Sequence, residues 1–376
     1  MDNNNKELNG FLVFDIVFEG QSLNYDQGIG NYQELKKIHE RGNIYTLVSR
    51  YALRYSILEQ GSTKFGWKLA DRTVLTTAGV GNRKVIQPSK DKLDSLLNYV
   101  DLNLFGFLIT NFAGDYSLSR PSPVRLSHAV SLEPYKFDSH FNVNLGVAKR
   151  YGSLDQNIFQ VEEHKSYYKY NVIVDLAKIS KMEIFLNKEE IDGDTFNKLK
   201  ELCEKEKDNI RLKEEGNNVY KLIIISSDKN SSPDKLIIQL VDILLSLKRN
   251  IKGRSENLEP VFMVVAYYKN FYDTFLEDIL LKTNKVRETE IEEEHKDEKT
   301  IIKRVREKNF DTVSFDLMRL PPETTCNYLI YAKSENFIDK ELSKKLEDNK
   351  DEVITYNKDK VITKIKEWLG LEKNKN

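Results

Sequence analysis

FLVFDIVFEG, residues 11–20, is rich in Phe, Val and Ile and carries apolar residues on both faces of an extended chain. It reads as a buried strand, and the rest of the fold is built outward from it. SLNYDQGIGN (22–31) follows, with the two glycines and the Asn and Asp residues of a loop. NIYTLVSRYALRYSILEQG (43–61) reads as a helix stopped by Gly61. Residues 62–160 mix Gly, Ser, Thr, Asn, aromatic and basic residues with weak periodicity, as expected of an insertion of short elements and loops. Order returns at YKYNVIVDL (168–176), a second strand. EIDGDTFNKLKELCEKEK (190–207) reads as a local helix with Asp192 or Asp194 as its cap, and YKLIIIS (220–226) as a strand. SSPDKLIIQLVDILLSLKR (231–249) is an amphipathic helix with Pro233 in its first turn, and PVFMVVAYY (260–268) is again a strand.

Beyond residue 285 come an acidic run, two short strands (FDTVSFDL, 310–317, and NYLIYAK, 327–333) and Lys/Glu-rich helices. The last of these, KVITKIKEWLGL (360–371), sets Val361, Ile365 and Trp368 on one face. With the insertions removed, the order is strand–helix–strand, twice. The predicted class is α+β, in the order of a ferredoxin-like or RRM-like split βαβ core, an order that other α+β sandwiches share.

The chain has 376 residues, long for one domain yet compatible with one core carrying large insertions. Its 40% hydrophobic and 31% charged residues are ordinary for a soluble globular protein, whose core needs neither disulfide nor metal. Cys203 and Cys326 stand far apart in no ligand spacing and read as reduced packing residues. MDNNNKELNG lacks the basic head and apolar run of a signal peptide, and no stretch reaches the roughly 18 apolar residues of a membrane span. The expected location is cytoplasmic, with no membrane partner. The formal net charge is only -1, but residues 41–90 hold nine Lys or Arg against two acids. Such a zone either follows a phosphate backbone or forms a solvated face.

Arg50 and Arg54 lie one helical turn apart with Ser49 beside them, a pattern suited to clamping phosphate oxygens through forked hydrogen bonds. SLSRPSPVRLSHAVSLEP (117–134) interleaves Arg120 and Arg125 with hydroxyl residues and prolines, suiting contacts to sugar and phosphate. Phe137, Phe141 and Tyr151 either stack on unpaired bases or pack inward in a hairpin, and Lys149 and Arg150 add charge. Catalytic signals are poor. GVGNRK (79–84) and GIGNYQ (28–33) only begin a glycine-rich phosphate fingerprint, and no Walker motif or nucleophile elbow occurs. The five histidines form no HxxxH or HxH pair, so no zinc site is expected. A nuclease alternative would use His128 or His140 as general acid/base, or Asp26.

Several segments together resemble the CRISPR-associated RAMP backbone subunits of the DevR/Cst type, from type I-B Cascade complexes. They are SLNYDQGIGN, YTLVSRYALRY (45–55), DLNLFGFLITN (101–111), RPSPVRLSHAVSLEP (120–134), HKSYYKYNVIVDL (164–176) and KGRSENLEPVFMVV (252–265). The last departs from the family pattern, whose Asn-His pairing it does not reproduce. The resemblance implies a right-hand shape: an RRM-like palm from residues 10–61 and 161–284, fingers at 62–118, a thumb at 119–160 and a C-terminal extension at 285–376. It also implies a non-catalytic subunit that polymerises along the CRISPR RNA and leaves its bases free to pair with target DNA. Its partners would be that RNA, target DNA through guide pairing, further copies of itself, and the guide-end capping, large, small and repeat-processing subunits. Arg50 and Arg54 fall where the family's palm helix meets RNA, Arg120, Arg125 and Ser127 in its Ser/Arg motif, and Arg254 in its C-terminal loop. With Asn24, Ser49, Arg72, Arg83, Lys84, Lys149 and Arg150 these form the expected RNA-binding set. No catalytic residue, metal or cofactor is expected. In related type III subunits an Asp near the first strand cuts target RNA, and Asp26 is its positional counterpart here.

Overall fold

The computed structural model describes residues 8–371 apart from 80–83, 114–115, 153–157, 190, 217, 298–299 and 347–349. The first predicted strand, Phe11–Gln21, lies in the interior of a nine-stranded sheet. From one edge the order is Ile354–Thr355, Cys326–Ala332, Pro260–Tyr268, Phe11–Gln21, Lys165–Asp175, Ala129–Ser131, Asn43–Val48 and Lys37–Glu40. Val124–Leu126 also pairs with Lys165–Asp175. Neighbours run antiparallel except at the first edge, where Ile330 pairs in parallel with Ile354.

Strand alternation sends the apolar residues of 11–20 in two directions. Leu12, Phe14, Ile16 and Phe18 enter a core beneath three helices, Arg50–Phe65, Pro233–Leu245 and Lys358–Leu369. Leu53 and Ile57, then Leu240 and Leu244, then Val361 and Ile365 fill it from the helix side. Val13 and Val17 enter a second core with Phe262, Phe275, Phe315 and Leu317. The last two belong to a long hairpin, Ile279–Asp297 with Thr300–Leu317, whose base seals that face. FDTVSFDL is therefore the end of a long strand rather than a short strand of its own.

A third core joins Leu93, Leu97, Phe112 and Leu118 to Met182, Ile184, Leu199 and Ile224. The latter group comes from a small sheet (Lys181–Asn187, Ile210–Glu214, Val219–Ile225) and the helix Gly193–Lys205. Of the two expected caps for that helix it is Asp192 that serves, accepting from the Thr195 N–H at 2.8 Å. Pro233 stands in the first turn of its helix as expected.

The expected helix over 43–61 is corrected at both ends. Asn43–Val48 is a strand, because Ile44, Tyr45, Thr46 and Val48 suit a pleated surface and pair with neighbours on both sides. Ser49 then caps a helix that runs through Gly61 to Phe65. No helix among the described residues is long and apolar enough to cross a membrane.

Candidate nucleic-acid interface

The helix Arg50–Phe65 begins at Ser49, whose hydroxyl accepts from the Ala52 N–H at 3.2 Å. Its start is fixed from two further directions. The Asn24 side-chain oxygen accepts from the Ser49 N–H at 2.9 Å, which ties the loop after the central strand to the helix. His128 Nδ1 accepts from the Arg50 N–H at 3.0 Å. Next to it, the Ser127 hydroxyl accepts from the Asn171 N–H at 2.9 Å and so latches this segment onto the Lys165–Asp175 strand.

A hairpin, Lys248–Ile251 with Arg254–Asn257, closes the other side. Arg249 is buried, and its guanidinium donates to the carbonyls of Leu23 (2.8 Å) and Ala52 (3.2 Å) and to the Ser56 hydroxyl (3.1 Å). It cross-links the loop, the helix and the hairpin. Arg254 donates to the Ser22 carbonyl at 3.2 Å and stands 3.6 Å from both Glu163 and Glu256. The Lys252 ammonium lies 3.7 Å from the centre of the Tyr25 ring. Ser49 and Arg254, far apart in the chain, thus contact the one loop that holds Asn24, while Arg50 and Ser127 lie beside Ser49 and its His128 neighbour.

The two helix arginines part company. Arg50 is exposed, its guanidinium 5.1 Å from the Tyr51 ring centre and 3.1 Å from the Tyr51 hydroxyl. Arg54 is half-buried over the Phe105 ring at 4.7 Å, and burial holds its guanidinium below the usual arginine range. The two do not form a symmetric clamp, because Phe105 from the insertion occupies the helix flank beside Arg54.

Arg120 corrects the expected set. It is 4% exposed, and its guanidinium donates to the carbonyls of Lys181 (2.8 Å), Lys178 (2.8 Å) and Asn103 (3.0 Å). Committed to these carbonyls and buried, it ties the third core to the main sheet instead of standing at the surface. Arg125 is exposed but lies on the opposite face of the sheet, stacked 5.2 Å from the Tyr272 ring centre. Arg72, Lys84, Lys149 and Arg150 are exposed on the insertions, and no hydrogen bond or ion pair among the described residues ties them to the helix start. Arg83, and with it part of GVGNRK, lies outside the described residues. Phe137, Phe141 and Tyr151 are 70%, 66% and 85% exposed, so the inward-packing alternative fails for all three.

The residues of the nuclease alternative lie in unlike settings. His128 is engaged through Nδ1, and burial, then the Arg50 charge, hold it below the usual histidine range. His140 is exposed on the strand Ser139–Val143. Asp26 is paired with Lys36 at 3.0 Å, and that hydrogen bond holds its carboxyl below the usual carboxylate range. Among the described residues no three His, Cys, Asp or Glu side chains are gathered to hold a metal ion.

Arg249, Lys252, Tyr51 and Tyr55 were missed by sequence reasoning. The tyrosines carry a legible signal, since they repeat one turn apart beside arginines. Arg249 carries none, because its partners are two carbonyls and a hydroxyl about two hundred residues away in the sequence.

A family model described as the CRISPR-associated negative auto-regulator DevR/Csa2 matches residues 12–290 of this chain. No curated protein matches it. Two solved structures are similar in part. A chain of a CRISPR RNA-guided surveillance complex shares 12% identity and a TM-score of 0.39, covering 71% of this chain and 73% of its own. A chain of a CRISPR RNA-guided surveillance complex in a pre-nicking state shares 11% identity and a TM-score of 0.42, covering 71% of this chain and 81% of its own.

Proposed function

Since the chain belongs to the CRISPR-associated DevR/Csa2 family, we propose that it is a non-catalytic backbone subunit of a type I-B Cascade complex. In this reading copies of it polymerise along the CRISPR RNA in the cytoplasm and hold its backbone, leaving the bases to pair with target DNA. The observation that carries the reading is that Ser49, Lys252 and Arg254 meet on the loop that follows the central strand, with the exposed Arg50 next to Ser49 at the helix start. Cations fixed on a rigid scaffold suit a phosphate backbone, which needs charge at set spacing and no base readout.

The strand order 260–268, 11–21, 165–175, 124–131, with helices 50–65 and 233–245 on one face, supports an RRM-like palm. On that palm, residues 62–118 serve as fingers, 119–160 as a thumb and 285–376 as an extension. The exposed Phe137, Phe141 and Tyr151 support a thumb that meets RNA or a neighbouring copy. The capping, large, small and repeat-processing subunits would complete the assembly.

The test is fluorescence anisotropy with labelled single-stranded RNAs of unrelated sequence across a salt series. Arg50→Ala with Lys252→Ala is expected to weaken all of them alike. The slope of log K against log salt should fall by about 1.4, at roughly 0.7 for each phosphate that a side chain no longer neutralises. Unchanged affinity would reject the interface, and site-specific cleavage of a repeat RNA would favour the nuclease alternative instead.

A further inference from the structure

The helix Arg50–Phe65 buries Leu53, Ser56, Ile57 and Gly61 on one side. At the centre of its other side stand Tyr51 and Tyr55, 64% and 61% exposed. Residues four apart on a helix are surface neighbours, so the two rings share one patch. A single exposed aromatic is unremarkable. Two in register, with a guanidinium over the first, are not accounted for by packing.

At the helix start the Arg50 guanidinium lies over the Tyr51 ring at 5.1 Å and donates to its hydroxyl at 3.1 Å. That contact draws the Tyr51 phenol below the usual tyrosine range. On the flank of Tyr55, the Arg249 cross-link brings the hairpin against Ala52 and Ser56. There the Lys248 N–H donates to the Gln60 side chain at 2.9 Å, and the lysine side chain is left exposed. Glu59 on the same helix accepts from the Tyr55 hydroxyl at 3.4 Å. Aromatic faces interleaved with cations are what single-stranded nucleic acid requires, since every base has a stacking face and every linkage a charge.

We propose that Tyr51 and Tyr55 form a stacking platform for an unpaired base of single-stranded RNA whose backbone passes Arg50. This rests on the RNA-binding reading above and adds to it a contact with the base. The platform is indifferent to which base it holds, so it would grip unpaired nucleotides without reading sequence.

Anisotropy on the full chain tests it with two probes: a single-stranded RNA, and the same strand with abasic ribose replacing its nucleotides. Wild type should bind the base-bearing strand more tightly. Tyr51→Ala with Tyr55→Ala should weaken that strand about 10-fold, leave the abasic strand unchanged and preserve the salt slope. Tyr51→Phe with Tyr55→Phe should retain wild-type binding, which a role for the hydroxyls would not allow. Wild-type affinity in the double-alanine variant overturns the platform while the RNA-binding reading stands. Equal losses on both strands also overturn it. Absence of RNA binding by the wild type removes the underlying reading, and the platform with it.

Discussion

Asp15 lies in the middle of the central strand and is 1% exposed. One carboxyl oxygen accepts from the Phe275 N–H at 2.7 Å, while the other is buried with no partner. Burial pushes its pKa up to about 7, with the nearby Asp273 and Asp278 adding to the rise and the Phe275 N–H and Lys169 opposing it. An unfolded chain ionises this group near 3.8, so between about pH 4 and 7 the folded state holds a proton that the unfolded state has released. That contribution to stability is therefore lost as pH rises through this window, and the loss levels off above about 7. Asp15→Asn cannot titrate. From pH 5 to pH 8 the wild type is expected to lose about 3 kcal/mol relative to this variant. Urea denaturation of both proteins at the two pH values checks it, and parallel pH profiles would refute it. The carboxylate at the centre of FLVFDIVFEG is visible in the sequence, but its orphaned oxygen becomes visible only when Phe275 and the loop carrying Asp273 and Asp278 close over it.

The helix Arg50–Phe65 shows how a neighbour overrides a local stop signal. Gly61 reads as a helix terminator, yet it lies inside the helix because the Trp67 ring presses against it. A Cβ built there would fall 2.1 Å from a ring carbon. The ring is pinned in turn by its indole N–H, which donates to Gln239 on the helix Pro233–Leu245 at 2.8 Å. The stop comes at Gly66, whose left-handed conformation (φ 67°) lets its N–H reach the Ser62 carbonyl at 3.1 Å. Gly61→Ala gains helix propensity but overpacks this contact, and a net destabilisation of about 2 kcal/mol is expected. Thermal denaturation monitored by tryptophan emission checks it. A rise in Tm would mean that the ring moves aside at little cost.

Residues beyond the family match pack into the main sheet and core. Cys326–Ala332 covers the edge of Pro260–Tyr268, setting Tyr331 opposite Met263. The helix Lys358–Leu369 lays Val361, Ile365 and Leu369 into the main core, each at most 3% exposed. Burying one such side chain contributes about 1.5–3 kcal/mol, and Leu329, Ile330 and Tyr331 are buried as well. Together these amount to about 9–18 kcal/mol, as large as the roughly 5–15 kcal/mol by which a whole domain is stable. A chain ending at Leu320 is therefore expected to be insoluble or rapidly digested by protease, while the full chain resists. A soluble, protease-resistant truncation would show that 321–376 is a dispensable appendage.

The strands 11–20, 168–176 and 260–268 and the helix at 231–249 were legible because their apolar patterns are local and strong. The strand–helix boundary at Ser49 was not legible, since NIYTLV pairs with residues 37–40 and 129–130 and its propensity decides nothing until they arrive. The same holds for the arginines. Arg50, Arg54 and Arg120 are chemically identical in the sequence. Tertiary structure exposes the first, lays the second against Phe105 and commits the third to carbonyls of Asn103, Lys178 and Lys181. Hydrophobic periodicity records which residues must leave water. It carries no record of which distant carbonyl or ring will meet a given guanidinium.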